Sequence, residues 1–172
     1  MIPAQGEFLL DGEKMVELDD VDRRLLAELL ADARTSQRQL ATKIGVAQGT
    51  VTNRLTRLTD CGVIRGYHVD LDPKKIGWTM TVLIGLRIEK NSIMPVQDEI
   101  AADARVTSVY DVTGEFDSMV VARVRNPDDL NDLTKNVLSI EGILRSSTHV
   151  VLNTVKEAVG CLPDEIPSKD RK

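Results

Sequence analysis

Residues 36–62 are SQRQLATKIGVAQGTVTNRLTRLTDCG, a pattern that predicts two short helices joined by a tight turn. Ser36 and Gln39 have the spacing of a capping box, in which each side chain bonds the other residue's backbone N–H at a helix start. Gly45 fits the turn, because a glycine adopts a positive φ without strain. The second helix is predicted from about Ala47 to Cys61. The apolar stripes of the two helices are Leu40, Ala41 and Ile44, and Val51, Leu55 and Leu58.

The flanking residues extend this pair of helices into a small domain. Upstream, Asp19, Asp20 and Asp22 occupy positions where the N-terminus of a helix favours acids. The apolar residues at helical spacing behind them are Val21, Leu25, Leu26, Leu29 and Leu30. Downstream, Gly62 ends the second helix, and Val63–Val69 is predicted to form a short strand or hairpin. This order of elements predicts a winged helix-turn-helix.

The net charge of −5 argues against nucleic acid, but the charges are unevenly distributed. Residues 33–69 hold six Lys/Arg and the single acid Asp60, a balance of +5, whereas the rest of the chain holds 16 basic and 26 acidic residues, a balance of −10. A basic segment can attract a polyanion even when the whole molecule is negative. A solvated surface that happens to be basic explains the charge alone equally well.

A helical wheel of residues 47–61 selects candidate DNA contacts. Because the apolar stripe faces inward, the opposite side is free to enter a major groove, where Thr, Asn and Arg contact base edges or phosphates. The predicted DNA-binding residues are Arg34, Arg38, Lys43, Gln48, Gly49, Thr50, Asn53, Arg54, Arg57 and Arg65. Arg34, Arg38 and Lys43 are expected to touch phosphates from the preceding helix. Arg65 is expected to do so from the wing. The alternative is a helix with ordinary polar solvation.

After Asp72-Pro73 and Gly77 the apolar period changes from that of a helix to that of a strand. Strands are predicted at 80–88, 106–112, 118–124 and 143–152, and helices at about 93–104 and 128–139. The order β-α-β-β-α-β is that of a ferredoxin-like domain. The predicted fold class is therefore α+β, with an N-terminal winged helix-turn-helix and a C-terminal ferredoxin-like βαββαβ domain. The predicted boundaries are 1–17 for an N-terminal tail, 18–71 for the helix-turn-helix domain, 72–78 for a linker, 79–156 for the ferredoxin-like domain and 157–172 for a C-terminal tail.

Several classes of protein are disfavoured by the sequence. No apolar run approaches the roughly 20 residues that span a bilayer, and the first residues lack a secretory signal pattern, so we expect a cytoplasmic protein with no membrane partner. Cys61 and Cys161 have no companions at ligand spacing, and no metal site is predicted. His68 and His149 are expected to be structural. No Ser-His-Asp arrangement, phosphate-binding loop or carboxylate pair indicates an enzyme, and no catalytic residue or cofactor is predicted.

The predicted sheet also indicates self-association. A four-stranded sheet with both helices on one face leaves its other face bare. Met80–Ile88 and Ile143–Leu152 are apolar on both sides, so the bare face would expose an apolar patch that requires a partner. We therefore expect at least a dimer, and a symmetric dimer would bind a roughly palindromic operator.

Five stretches carry a resemblance to a known family: Leu18–Asp22 with Leu25-Leu26, Leu40-Ala41 through Gly45-Val46, Arg54–Leu58, Gly62–Tyr67 and Gly114–Asp117. Over about residues 18–156 the sequence resembles the Lrp/AsnC, or feast/famine, regulators. The resemblance implies a transcription regulator that dimerises through its ferredoxin-like domains and often forms octamers. Many members bind a free amino acid at the interface between dimers. Two residues depart from the family pattern: Ala47 stands where a Ser usually starts the recognition helix, and Thr56 stands where a basic residue is usual.

The resemblance also implies an effector site. An amino acid needs acceptors for its ammonium group and backbone N–H donors for its carboxylate; Gly114 allows close approach, and Glu115 and Asp117 supply acceptors. The implied effector-binding residues are Gly114, Glu115, Phe116, Asp117, Ser146 and Thr148. The alternative is that Gly114 forms an ordinary hairpin turn and that Asp117 bonds the backbone of its own turn.

The expected function is therefore that of a sequence-specific regulator that binds double-stranded DNA and is modulated by a free amino acid or similar small metabolite bound at an oligomer interface. One alternative is an architectural DNA-binding protein without an effector. Another is a small-molecule-binding module whose helix-turn-helix serves only protein contacts. An enzyme on the ferredoxin-like fold ranks last, and the fold alone does not decide this, because one fold hosts many functions.

Overall fold

The structure is a computed structural model that describes residues 16–158 and 160–163. The described chain divides into two compact units. One unit contains residues 16–69, 158 and 160–163, and the other contains residues 70–157. The N-terminal tail predicted at 1–17 lies outside the described residues except for its last two.

The first unit is built from three helices, α1 (Asp20–Ala31), α2 (Gln37–Ile44) and α3 (Gln48–Asp60). Apolar residues spaced three or four apart share one side of each helix, so the three stripes leave water together when the helices pack. The least exposed members of this core are Leu25, Leu40, Val51 and Leu58. The predicted helix-turn-helix is confirmed.

α1 and α2 begin at the capping residues that the sequence indicates. Asp19 and Asp22 exchange side-chain-to-backbone hydrogen bonds at the start of α1, and Ser36 and Gln39 do the same at α2. These bonds satisfy N–H groups that have no partner in the first turn of a helix. α2 ends at Gly45, where φ is +80°. Since other residues are strained at this angle, the glycine fixes the turn into α3.

The wing differs from the prediction. Val63–Val69 was expected to form a short strand or hairpin, and that expectation is wrong: these residues form no strand. Only Ile64 of the segment is buried, and Val69 is 81% exposed. A strand needs a neighbour to satisfy its backbone groups. No strand among residues 16–158 and 160–163 pairs with this segment, so it runs as an irregular connection beyond α3.

The end of the described chain returns to the first unit. Leu162 packs against the helical core, and the Pro163 carbonyl oxygen accepts a 3.0 Å hydrogen bond from Arg23 Nη1. The sequence predicts only a tail at 157–172, because a segment that docks through one side chain has no periodicity to detect. These contacts make residues 160–163 part of the helical unit.

The second unit is a four-stranded sheet with two helices. Its elements are β1 (Met80–Ile88), α4 (Ile93–Ala101), β2 (Val106–Asp111), β3 (Ser118–Val124), α5 (Pro127–Leu138) and β4 (Ile143–Val150). The strand order is β2-β3-β1-β4, and every neighbouring pair is antiparallel. This confirms the predicted ferredoxin-like βαββαβ domain and the α+β class.

The two faces of the sheet differ, because side chains alternate along a strand. The covered face carries Val82, Ile84, Leu86, Val120 and Ala122, which pack with residues of α4 and α5. The open face carries Leu83, Gly85, Tyr110, Met119 and Val121 from β1, β2 and β3. β4 adds Arg145, Ser147 and His149 to the open face. The apolar part of the bare face therefore comes from the first three strands, and the expected contribution of β4 is polar instead.

Candidate nucleic-acid interface and effector loop

α3 presents a polar surface on the side opposite the core. Gln48, Gly49 and Asn53 are exposed, and Thr50 is half-buried. Thr56, one turn after Asn53, is also exposed. These short, uncharged side chains leave the helix free to approach the floor of a major groove, where amide and hydroxyl groups contact base edges.

Arg54 and Arg57, both predicted DNA contacts, pair with two acids of α1. Arg54 Nη1 bonds Asp19 Oδ2 and lies 3.0 Å from Asp22 Oδ1. Arg57 Nη2 bonds Asp22 Oδ2. The Asp22 side chain is only 1% exposed, and a buried carboxylate requires such charged donors in place of water. Both arginines therefore have an intramolecular role that the sequence analysis missed.

The same contacts keep Asp19 ionised. The Arg54 guanidinium, together with the Asp22 backbone N–H, lowers the pKa of Asp19 to about 2. Hydrogen bonds of this kind favour the charged form of a carboxyl group. Two acids and two arginines thus form a charge-compensated cluster between α1 and α3, which we call the α1–α3 cluster.

A signal for the α1–α3 cluster was present in the sequence. Asp19 and Asp22 are three residues apart on one helix, and Arg54 and Arg57 are three apart on another, so each pair shares a helix face. Only the packing of α1 against α3 shows that the two faces meet. Sequence patterning within each helix does not contain that information.

The remaining predicted phosphate contacts fall into two groups. Lys43 Nζ lies 2.5 Å from Glu28 Oε2, and Arg34 Nε lies 3.5 Å from Asp32 Oδ1 while its side chain stays 93% exposed. Arg38 and Arg65 are exposed, and neither guanidinium group makes a hydrogen bond or ion pair to any residue that the structure describes. Their full charge is available to a partner.

The loop between β2 and β3 is fixed to β1. The Asp117 backbone N–H donates to the Leu86 carbonyl at 2.8 Å, and Asp117 Oδ2 accepts from the Ile88 N–H at 2.9 Å. Arg87 Nη1 donates to the Glu115 carbonyl at 2.7 Å, and its Nε lies 3.5 Å from Asp117 Oδ2. Asp117 thus bonds the backbone of a neighbouring strand rather than its own turn alone. The Glu115 side chain is exposed.

The six predicted effector residues do not gather on one side of the sheet. A Cβ added at Gly85 would lie 2.7 Å from the Phe116 ring, so Phe116 covers the open face of β1. Ser146 and Thr148 pair with Leu86 and Ile84, whose side chains point to the covered face. Gly114 has a φ of +124°, which suits the turn. Within one chain, Phe116 and the two β4 residues lie on opposite faces.

Over residues 16–158 and 160–163, no three His, Cys, Asp or Glu side chains come together as a group that could hold a metal ion. No helix in the same ranges combines the length and apolarity that crossing a bilayer requires.

Comparison with known proteins agrees with this architecture. The profile of a winged helix-turn-helix DNA-binding domain matches residues 18–65, and that of the Lrp/AsnC ligand binding domain matches residues 81–160. An HTH-type transcriptional regulator of Pyrococcus horikoshii, itself uncharacterized, is 47% identical over 142 residues, covering 83% of this chain and 96% of its own.

Two solved structures have the same overall fold. Escherichia coli AsnC gives a TM-score of 0.78 at 26% identity and covers 83% of this chain and 97% of its own. A feast or famine regulatory protein of Mycobacterium tuberculosis, complexed with L-methionine, gives a TM-score of 0.79 at 28% identity, with 86% and 100% of the two chains covered.

The helix-turn-helix has an exposed, polar third helix and matches a DNA-binding profile. A relative that is an HTH-type transcriptional regulator matches most of the chain. These features together define the class of HTH-type transcriptional regulators. The second unit narrows the assignment, because its sheet and helices are those of a ligand-binding domain found in one group of these regulators. The chain belongs to the Lrp/AsnC family.

Proposed function

We propose that the exposed face of α3 binds the major groove of double-stranded DNA and that Arg38 and Arg65 contact the flanking phosphates. The observation that carries this proposal is that both guanidinium groups are exposed and have no partner among the described residues, although they lie in the basic segment of an acidic chain. Arg34 is a further candidate, since its side chain is almost fully exposed.

The test is a titration of labelled duplex DNA from upstream of the protein's own gene at several salt concentrations. Arg38→Ala and Arg65→Ala should each make the salt dependence of log K shallower by about 0.9, because each removes one phosphate contact. Lys135→Ala, at an exposed cation of α5 in the second unit, is the control and should leave the slope unchanged. Discrete footprints support a sequence-specific regulator, whereas even coating of the DNA favours an architectural protein.

For the effector, we propose a free amino acid or a similar small metabolite bound near residues 114–117 at an oligomer interface. The support is the ligand-binding profile that spans this loop and the relative that is complexed with L-methionine. Asp117 is occupied by Ile88 and Arg87, so the exposed Glu115 carboxylate is the more available acceptor for an ammonium group. Ser146 and Thr148 stay predictions, and their position on the covered face favours a structural role.

A thermal-shift screen of the twenty amino acids tests the effector. Glu115→Ala should abolish the shift that the active amino acid produces, because it removes the proposed acceptor for the ammonium group. The substitution should leave the fold intact, since the Glu115 side chain has no partner among the described residues. Glu115→Gln keeps the shape and removes only the charge, so it separates a charge contact from a steric one. An undiminished shift in both variants rules out Glu115 as a contact.

We also propose that the chain dimerises through the open face of its sheet, where Tyr110 is 54% exposed beside Leu83, Met119 and Val121. An apolar surface of this kind is favourable to bury. Light scattering at micromolar concentration tests this, and a Val121→Lys variant should shift the mass toward the monomer. A regulator of this type acts by binding and not by catalysis, and its DNA partner fits the cytoplasmic location expected from the sequence.

A further inference from the structure

We propose that Asp22 is a positioning residue for DNA binding, which holds the Arg57 guanidinium at the edge of α3 so that its remaining N–H groups meet a DNA phosphate. The inference rests on the proposed function, in which α3 enters the major groove. It assigns a role in the interface to a residue that touches no DNA itself.

The geometry of the pair fits an anchored but accessible arginine. The Asp22 side chain is 1% exposed, whereas the Arg57 side chain is 47% exposed. Arg57 uses Nη2 to bond Asp22, and a guanidinium carries five N–H donors in a rigid plane, so most of its donors stay free. Its outer part lines a shallow concave surface with Asn53, Thr56, Asp60 and Cys61.

The position of Arg57 along α3 indicates a phosphate rather than a base as its target. In a helix-turn-helix the N-terminal residues of the recognition helix contact base edges, and Arg57 lies in the last turn of α3. The C-terminal part of such a helix passes toward the sugar-phosphate backbone. A guanidinium that is already held in place loses less conformational entropy when it binds.

Arg54 differs from Arg57 although it belongs to the same cluster. Its side chain is 28% exposed and bonds both Asp19 and Asp22. Its hydrogen-bonding capacity is directed into the helical unit, so Arg54 connects α1 to α3 and is not expected to contact DNA. Asp19 bonds Arg54 but not Arg57, which supplies a matched control for Asp22.

The experiment compares Asp22→Asn with Asp19→Asn in the full chain, using a labelled duplex of arbitrary sequence. Each substitution removes one negative charge at the same helix end. Asp19→Asn keeps an N-cap oxygen, for which Asn is as good as Asp, and Asp22→Asn keeps one oxygen that can accept from the Asp19 N–H. If only charge mattered, both variants would bind DNA more tightly. The proposal predicts different outcomes: Asp22→Asn weakens binding about threefold or more, and Asp19→Asn leaves the affinity unchanged or raises it.

A double-variant cycle shows whether Asp22 acts through Arg57. Arg57→Ala should make the slope of log K against log salt concentration shallower by about 0.9. If the affinity at 1 M salt is unchanged, the variant then binds DNA about eightfold more weakly at about 0.1 M salt. In the Arg57→Ala background, Asp22→Asn should produce no further loss of DNA affinity. Thermal unfolding of each variant is measured alongside, because a merely structural role would lower stability without this coupling.

The outcomes separate this inference from the proposed function. If the wild-type chain binds no duplex at any salt concentration, the proposed function fails. If binding depends on Arg38 and Arg65 but Asp22→Asn binds equally or more tightly, only the role of Asp22 is overturned. If Asp22→Asn fails to fold, Asp22→Glu replaces it, because it keeps the charge and displaces the carboxylate from Arg57; an affinity equal to that of the wild type, or an unchanged salt slope in Arg57→Ala, overturns the inference.

Discussion

Replacing Ala47 with serine is expected to stabilise the helical unit by about 1 kcal/mol. Ala47 is the residue before α3, has φ −67° and ψ 146°, and makes no side-chain cap hydrogen bond. Ser36, which caps α2, has nearly the same angles, φ −67° and ψ 152°. A serine at position 47 can therefore offer its hydroxyl oxygen to the Gly49 N–H without moving the backbone, whereas the Thr50 N–H already donates to the Ala47 carbonyl at 3.0 Å.

The size of the effect follows from a comparison of the two helix starts. At α2, Ser36 and Gln39 make both bonds of a capping box. Thr50 holds the position equivalent to Gln39 in α3, and its side chain is too short to return the second bond, so only one cap bond is gained. About 1 kcal/mol corresponds to a rise of about 4–8 °C in the Tm of a small domain, and to about fivefold slower amide exchange in the first turn.

Thermal unfolding followed by circular dichroism measures the Tm, and hydrogen exchange at the Gly49 and Thr50 amides measures the local effect. Ser36→Ala is the matched control, because it removes a cap from the preceding helix and should cost about 1 kcal/mol. If Ser36→Ala lowers the Tm while Ala47→Ser changes neither Tm nor exchange, then the start of α3 is not limited by its cap and the reasoning is refuted.

Three further predictions concern the effector loop and the α1–α3 cluster. Asp117→Ala should lower the free energy of unfolding in urea by about 1–3 kcal/mol, because the Ile88 N–H loses its acceptor; Asp117→Asn keeps an oxygen and should lose less, and equal losses would contradict this role. Gly85→Ala should cost about 1–3 kcal/mol by crowding the Phe116 ring; the double variant with Phe116→Ala should be less destabilised than the two single losses added together, and simple additivity would count against the clash. The pKa of Asp19 is lowered from 3.8 to about 2 in the folded chain, so the stabilisation that its charge provides is complete above about pH 4 and is lost as the pH falls toward 2. Asp19→Asn should therefore flatten the pH dependence of the Tm between about pH 4 and 2. Parallel curves for the two proteins would speak against the Arg54 contact.

The sequence predicts elements well where a local signal marks them. The capping residues Asp19 and Ser36 locate the starts of α1 and α2. The alternating apolar residues of β1 give its bounds, Met80–Ile88, without error. In each case the signal is a pattern among residues at most four apart, so it can be recognised in the sequence without knowing the distant contacts.

The sequence predicts site geometry less well, because geometry depends on contacts between distant residues. The partners of Arg54 lie 32 and 35 residues away, and no wheel of α3 reveals them. The strand β4 is recognisable from its composition, but its pairing with β1 decides which way Ser146 and Thr148 point, and a shift of one residue would reverse them. The wing was predicted from β-prone residues, but no strand in the described part of the chain pairs with them.

The contact of Leu162 with the helical core has a consequence for synthesis. The helical unit is encoded mainly by the first 69 residues, yet one of its packing residues comes close to the end of the 172-residue chain. During translation, part of the helical core therefore stays uncovered until Leu162 has been synthesised, which happens after the ferredoxin-like unit. Fragments that stop at Val69 lack Leu162, so they leave that part of the helical core open to water.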